Sequence, residues 1–179
     1  MSNTATPVLI GTWQLDPVHS GVDFEVAYLA GTFKGKFREI AAQLGVEGEQ
    51  ARLEGTAKVS SVDVRDENLS AHLQSPDFFD AERYPELQFT AEGIDLGRSE
   101  VAARGEITIK GVTQPVDVTG TISSPMADPY GTERIGLQLT AVVDRTAFGV
   151  SWNNPLPSGE PSLANEVRVV TDLQFVKSA

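Results

Sequence analysis

The chain has 179 residues, 40% of them hydrophobic and 7% aromatic, and its 14 Lys and Arg stand against 25 Asp and Glu for a formal net charge of −11. At this length roughly 70% of the surface of the unfolded chain can be buried, so one soluble globular domain needs no disulfide or metal to hold it. The absence of cysteine excludes thiol catalysis, zinc–thiolate centres and iron–sulfur ligation, and the acidic balance argues against nucleic acid, whose partners gather Lys and Arg on one face.

Residues 1–10 have neither the basic start nor the apolar run of a secretory signal and are read as a flexible N-terminus. No stretch approaches the ~18 consecutive apolar residues of a membrane span, so no integral membrane segment is expected and the expected compartment is the cytoplasm. Residues 11–177 are read as one domain. Residues 13–16 form a short candidate strand. Asp16, His19 and Ser20 follow, the residue types of a nucleophilic triad, but they are crowded into one segment with no Gly-x-Ser-x-Gly elbow, which favours turn capping over catalysis.

Val22, Phe24, Val26 and Tyr28 then alternate with Asp23 and Glu25, the period of a strand with one dry face. Phe33, Gly35 and Phe37 alternate with Lys34, Lys36 and Arg38, which places three cations on one strand face. Those cations read as a basic rim for an anionic head group or, the favoured reading, as charges that keep a strand from pairing with other chains. Leu53, Gly55, Ala57 and Val59 form the next apolar face.

Residues 61–85 read as a helical excursion between two strands. Leu69 and Leu73 sit four apart after Asp66, Ser75-Pro76 has the form of an N-cap with Pro at the first helical position, and Tyr84-Pro85 ends any helix. Phe78 and Phe79 are adjacent and face different ways, so one is expected to anchor the excursion and the other to line an opening. Asp63, Asp66 and Glu67 lack the spacing of a calcium loop. His19 and His72, the only imidazoles, belong to different elements, so neither a metal nor a cofactor is expected.

The alternation returns in Leu87, Phe89, Ala91 and Gly93, in Gly105, Ile107 and Ile109, and in Val116, Val118, Gly120 and Ile122. Leu137, Leu139, Ala141 and Val143 form a further face, as do Val167, Val169, Leu173 and Phe175. Between these last two, residues 153–161 hold three Pro and one Gly and are read as a loop over an opening, with Trp152 at its edge. Eight or nine strands with one wet and one dry face make an antiparallel sheet that closes into a barrel or splits into a sandwich. The small inward candidates Gly55, Ala57, Ala91, Gly93, Gly105, Gly120 and Ala141 leave a cavity in such a barrel or fit the corners of a filled one, and the sequence leaves both open.

Four blocks now stand in order: Gly-Thr-Trp-Gln-Leu-Asp-Pro-Val-His-Ser at 11–20, His-Leu-Gln-Ser-Pro-Asp-Phe-Phe-Asp at 72–80, Ile-Thr-Ile-Lys-Gly-Val-Thr-Gln-Pro-Val at 107–116, and Asp-Arg-Thr-Ala-Phe-Gly at 144–149. With them the chain resembles the YceI-like family over residues 11–177. The resemblance implies an all-β fold, an antiparallel lipocalin-like barrel of about eight strands, with a tunnel for polyisoprenoid chains or other long-chain amphiphiles. It implies binders or carriers and not enzymes. Tyr28 stands where the family often has His, and Ser70-Ala71 where it usually has Arg-Asp.

The expected function is therefore non-catalytic binding, sequestration or transport of a long-chain lipid: a polyisoprenoid, an isoprenoid quinone or a fatty-acid derivative. The expected tunnel wall takes Phe24, Val26, Tyr28, Phe33 and Phe37 from the early strands, Phe78, Phe79, Leu87 and Phe89 from the middle, and Ile107, Ile109, Leu137, Leu139 and Trp152 from the later ones. His19, His72, Lys34 and Lys36 are candidates for polar head-group contacts. Two other readings stay open: an enzyme acting on such a lipid through His19, Asp144 or Tyr28, and a packed barrel with no ligand. Asp144 and Arg145 are read as a structural corner. The expected partner is a lipid, with no nucleic acid, and a homodimer is left open.

Overall fold

The computed structural model describes residues 10–96 and 99–178. The flexible N-terminus expected over residues 1–10 lies outside these, Ile10 apart. In chain order the strands are β1 (Gly11–Leu15), β2 (Gly21–Tyr28), β3 (Gly31–Phe37), β4 (Ile40–Glu47), β5 (Gln50–Lys58), β6 (Val62–Asp63), β7 (Glu86–Asp95), β8 (Glu100–Ile109), β9 (Val112–Ile122), β10 (Met126–Ala127), β11 (Glu133–Asp144) and β12 (Leu163–Lys177), and one helix, α1 (Glu67–Gln74), stands between β6 and β7.

Eight strands close on themselves in the order β1–β4–β5–β7–β8–β9–β11–β12, and every neighbouring pair is antiparallel. Closure removes the unpaired edges that an open sheet of this size would expose. β12 pairs with β1 through residues 175–177 and with β2 through residues 163–172. β1 and β2 thus follow one edge of β12, interrupted by a 3₁₀ turn at Pro17–His19 that Asp16 caps. β2 then pairs with β3, and β3 with β6, so this side of the wall rises above the ring.

The antiparallel order sorts the connections to two ends. The β2–β3 turn, the 59–85 excursion, the Lys110-Gly111 turn and residues 145–162 lie at one end, the mouth. The β4–β5 turn, the end of β7 at Asp95, the start of β8 at Glu100 and the segment between β9 and β11 lie at the other, the floor.

Three local expectations are corrected. β4 was not among the expected strands, although Ile40, Ala42, Leu44 and Val46 alternate inward along it. Gly93 does not face the interior. It adopts φ +66 in a bulge where Glu92 and Gly93 of β7 oppose Arg52 alone, which turns Ile94 inward in its place. No helix starts at Pro76: Ser75 closes α1, its hydroxyl donating to the His72 carbonyl at 2.6 Å, and a turn follows. The helix that does form begins where Asp66 accepts from the Leu69 amide at 2.9 Å, and its buried residue is Leu73.

The interior is not uniform along its axis. At the floor Trp13, Leu44, Ile94, Ile135, Leu137 and Phe175 are each no more than 1% exposed and form one packed cluster. Nearer the mouth, Phe24 lies over Gly35 of the facing strand. A Cβ on Gly35 would overlap the Phe24 ring and stand 2.8 Å from Val64 Cγ1, so only glycine admits that ring.

Outside the barrel, Arg134 on β11 ties the β1–β2 break to the β10–β11 hairpin. Its Nη1 donates to Asp16 Oδ2 and Gln174 Oε1, both at 2.8 Å, and its Nε donates to Asp128 Oδ2 at 2.9 Å. The Arg134 guanidinium and then the His19 ring hold Asp16 down at about 2, against an ordinary 3.8. A carboxyl depressed in the folded state adds stability that is complete above its unfolded pKa and is lost as pH falls through the folded one. The melting temperature of the wild type is therefore expected to fall between pH 4 and pH 2, and its advantage over Asp16→Asn to shrink across the same window in thermal melts. An advantage independent of pH would remove this role for Asp16.

Candidate functional site

Several inward residues of the upper barrel are apolar yet incompletely buried. Val22, Phe33, Ile40, Leu87, Phe89, Ile107, Ala141, Val167 and Val169 all point inside and stay half-buried, because part of their surface faces an interior space. That space is a cavity of about 350 Å³ lined almost wholly by carbon. It is bounded below by the packed floor and above by the excursion and the 145–162 segment.

Of the expected wall residues, Phe24, Val26, Tyr28, Phe33, Phe37, Phe78, Phe79, Leu87, Phe89, Ile107, Ile109, Leu139 and Trp152 line this cavity. Leu137 does not. Two residues nearer the floor than Leu139 along β11, it belongs to the packed floor cluster with Trp13 and Phe175. The small residues divide by cause. Gly55, Ala57 and Ala141 face the cavity, whereas a Cβ on Gly105 or Gly120 would strike the backbone carbonyl of Thr90 or of Gln138, so those two glycines serve close strand approach.

The mouth is aromatic. Phe79 of the excursion packs edge-on to Phe37 with ring centroids 5.7 Å apart and to Phe24 at 6.5 Å. Phe78 meets Trp152 at 5.3 Å, and His72 stands edge-on to both, at 5.1 and 5.0 Å. Both phenylalanines thus line the opening and fasten the excursion. Lys110, in the turn after β8, clamps it, its Nζ donating to Pro76 O at 2.7 Å.

The polar candidates separate. His72 lines the cavity, its Nε2 3.0 Å from Asp77 Oδ2. His19, Lys34 and Lys36 do not. His19 lies in the exposed turn between β1 and β2 with Nδ1 2.7 Å from Asp16 Oδ2. Lys34 and Lys36 project from the outer face of β3, because the inner face belongs to Phe33, Gly35 and Phe37, and Lys34 faces Glu25 at 3.9 Å. β6 covers β3 only at Lys36 and Phe37, so this is the strand whose edge is most in need of charge. Ser20 does not address His19. Its hydroxyl donates to Asp16 O at 2.7 Å and accepts from the Gln174 amide at 2.9 Å, a backbone brace and not a triad.

The contacts of the 144–149 corner are those of a structural turn, with one addition. Asp144 accepts from the Thr146 amide at 2.9 Å and from its hydroxyl at 2.5 Å, bonds that hold its carboxyl below the usual range. Arg145 is buried and fans onto carbonyls of the adjoining segment: Nε to Ala164 O, and Nη1 to Val150 O and Trp152 O, each at 2.8 Å. Burial pulls its pKa below the ordinary value, against the opposing pull of Asp144. Arg145 also lines the cavity, and nothing in its sequence position announces that. Replacing Asp144 with Ala removes a cap worth about 1 kcal/mol. Asp144→Ala is expected to lower the melting temperature by about 2–4 °C while changing lipid affinity less than twofold; a selective loss of affinity in a binding titration would contradict this.

Among the described residues no helix is long and apolar enough to cross a membrane. A UPF0312 protein of Staphylococcus epidermidis is 29% identical over 171 residues, spanning 91% of this chain and 96% of its own. Among solved structures, BcnA of Burkholderia cenocepacia superposes with a TM-score of 0.77 at 24% identity, covering 89% of this chain and 98% of BcnA. A polyisoprenoid binding domain from Saccharophagus degradans, implicated in plant cell wall breakdown, gives 0.73 at 14% identity over 93% of this chain and 98% of that domain. The family model of the YceI-like domain matches residues 13–175, nearly the whole of the barrel just described, and the chain belongs to the YceI-like family.

Proposed function

We propose that this protein binds a long-chain amphiphilic lipid in the barrel without chemically changing it, and so sequesters or carries that lipid. The observation that carries the proposal is the carbon-lined cavity above a packed floor. Apolar surface turned toward empty space stabilises nothing until an apolar guest covers it, and each methylene so buried is worth about 0.8 kcal/mol. The fold shared with a polyisoprenoid binding domain supports an isoprenoid-type chain, with quinone or fatty-acyl derivatives as alternatives of the same shape. The aromatic mouth suits an occupant whose chain enters and whose polar end stays near the opening. A catalytic reading draws no support from His19, which lies against Asp16 in the turn between β1 and β2, or from Asp144, which is engaged by Thr146; of its three candidates only Tyr28 borders the cavity.

Neutral probes test this. In displacement titrations against a fluorescent long-chain probe, affinity for 1-alkanols is expected to rise about three- to fourfold per added methylene and then level off when the cavity is full. No displacement at any chain length would overturn the proposal.

A further inference from the structure

The cavity wall contains a cation that an apolar guest does not need. Arg145 is 6% exposed, the only buried cation among the described residues, and no carboxylate forms an ion pair with it there. Asp144, its neighbour in the chain, acts on it only through space and turns its oxygens to Thr146. A guanidinium has five N–H groups. Three of Arg145's are well bonded, while Nη2 makes a single long contact, 3.4 Å to Leu163 O. The carbonyls orient the fork and neutralise none of its charge.

Fastening the segment over the mouth does not explain that charge. Asn153 already pins it, with Nδ2 donating to Leu163 O at 2.8 Å and Oδ1 accepting from the Ser162 amide at 3.0 Å. A neutral side chain could add to that lock without burying a cation, which is costly where no carboxylate contacts it directly. Arg145, Val150, Trp152 and Leu163 all lie on the cavity wall, so the under-bonded Nη2 stands among residues that a guest would touch.

We propose that Arg145 is the head-group site of the cavity, its guanidinium taking the anionic end of the bound amphiphile, a carboxylate or a phosphate monoester, while the tail occupies the apolar barrel. This rests on the lipid-binding reading and adds to it a class of head group. A bond between ionised partners in a water-poor site is stronger than a neutral one. The net charge of −11 repels anions at long range, so a preference for an anionic lipid has to arise locally.

The test compares palmitate with 1-hexadecanol and methyl palmitate, and farnesyl phosphate with farnesol, on the wild-type protein at pH 7.5. An anion is expected to bind about 10- to 100-fold tighter than its neutral counterparts, and whichever pair carries the difference distinguishes carboxylate from phosphate. The preference is expected to persist in the Lys34→Gln/Lys36→Gln double variant, whose cations face outward, and to vanish in Arg145→Gln. If Arg145→Gln does not fold, the wild-type ranking decides alone. Equal affinity within both pairs, or a preference lost with Lys34 and Lys36, would overturn the assignment and leave lipid binding standing. Failure of every probe to bind would overturn both.

Discussion

A Gly55→Phe variant is expected to fold like the wild type and to bind lipid at least 100-fold more weakly. Gly55 sits on β5 opposite Phe89, facing the cavity. A Cβ built there meets nothing closer than Ala41 O at 3.6 Å and Ala42 Cβ at 3.7 Å, which is ordinary contact, so a side chain can leave the strand without displacing its neighbours. Phenylalanine also favours a strand where glycine weakens one. Its ring would take up part of a space of about 350 Å³. Excluding three or four methylenes of a bound chain, at about 0.8 kcal/mol each, accounts for a hundredfold loss. The melting temperature serves as the control, since a ring placed in the cavity displaces no neighbouring side chain. Unchanged affinity in a folded variant would place the ligand outside the barrel.

Phe175→Ala is expected to have the largest effect on stability, about 3–5 kcal/mol, or about 6–20 °C in melting temperature for a chain of this size. Phe175 has no exposed surface, and its neighbours across the two ladders are Leu15 and Ile135. Trp13 and Leu137 share its cluster, and none of these can collapse into the gap without disturbing the ring closure that β1 and β12 make. Phe33→Ala, by contrast, shortens a half-buried side chain that already faces the cavity. It is expected to cost less than half as much in the same urea or thermal melts. Equal losses would mean that the upper barrel is packed as tightly as the floor.

The contrast between these positions was legible only in part. Alternation placed Phe24, Phe33, Phe89 and Leu139 on inward faces, because a strand's period of two follows from backbone geometry alone. It could not distinguish Leu137 from Leu139, since both face inward and only the position along the barrel axis separates floor from cavity. Gly93 was misplaced because a bulge changes the phase of a strand at one residue, and a glycine at φ +66 looks in sequence like any other small inward residue. β4 carried a readable alternation in Ile40, Ala42, Leu44 and Val46, but its small residues gave it little apolar weight.

The polar groups were least legible. His19 and His72 are alike in type, yet one is fixed by a turn on the outside and the other stands between Phe78 and Trp152 at the mouth. Arg145 was read as part of a corner because Asp144 and Gly149 bracket a turn. Its place on the cavity wall depends on residues 150–164 folding back over it, a contact that no local pattern encodes.

Native mass spectrometry of the freshly purified protein, followed by extraction and weighing of whatever it releases, decides whether the barrel holds a lipid. One long-chain amphiphile per chain is expected, released on unfolding and missing from Gly55→Phe. A bare-chain mass in every preparation, together with no uptake of added palmitate or farnesol, would contradict it.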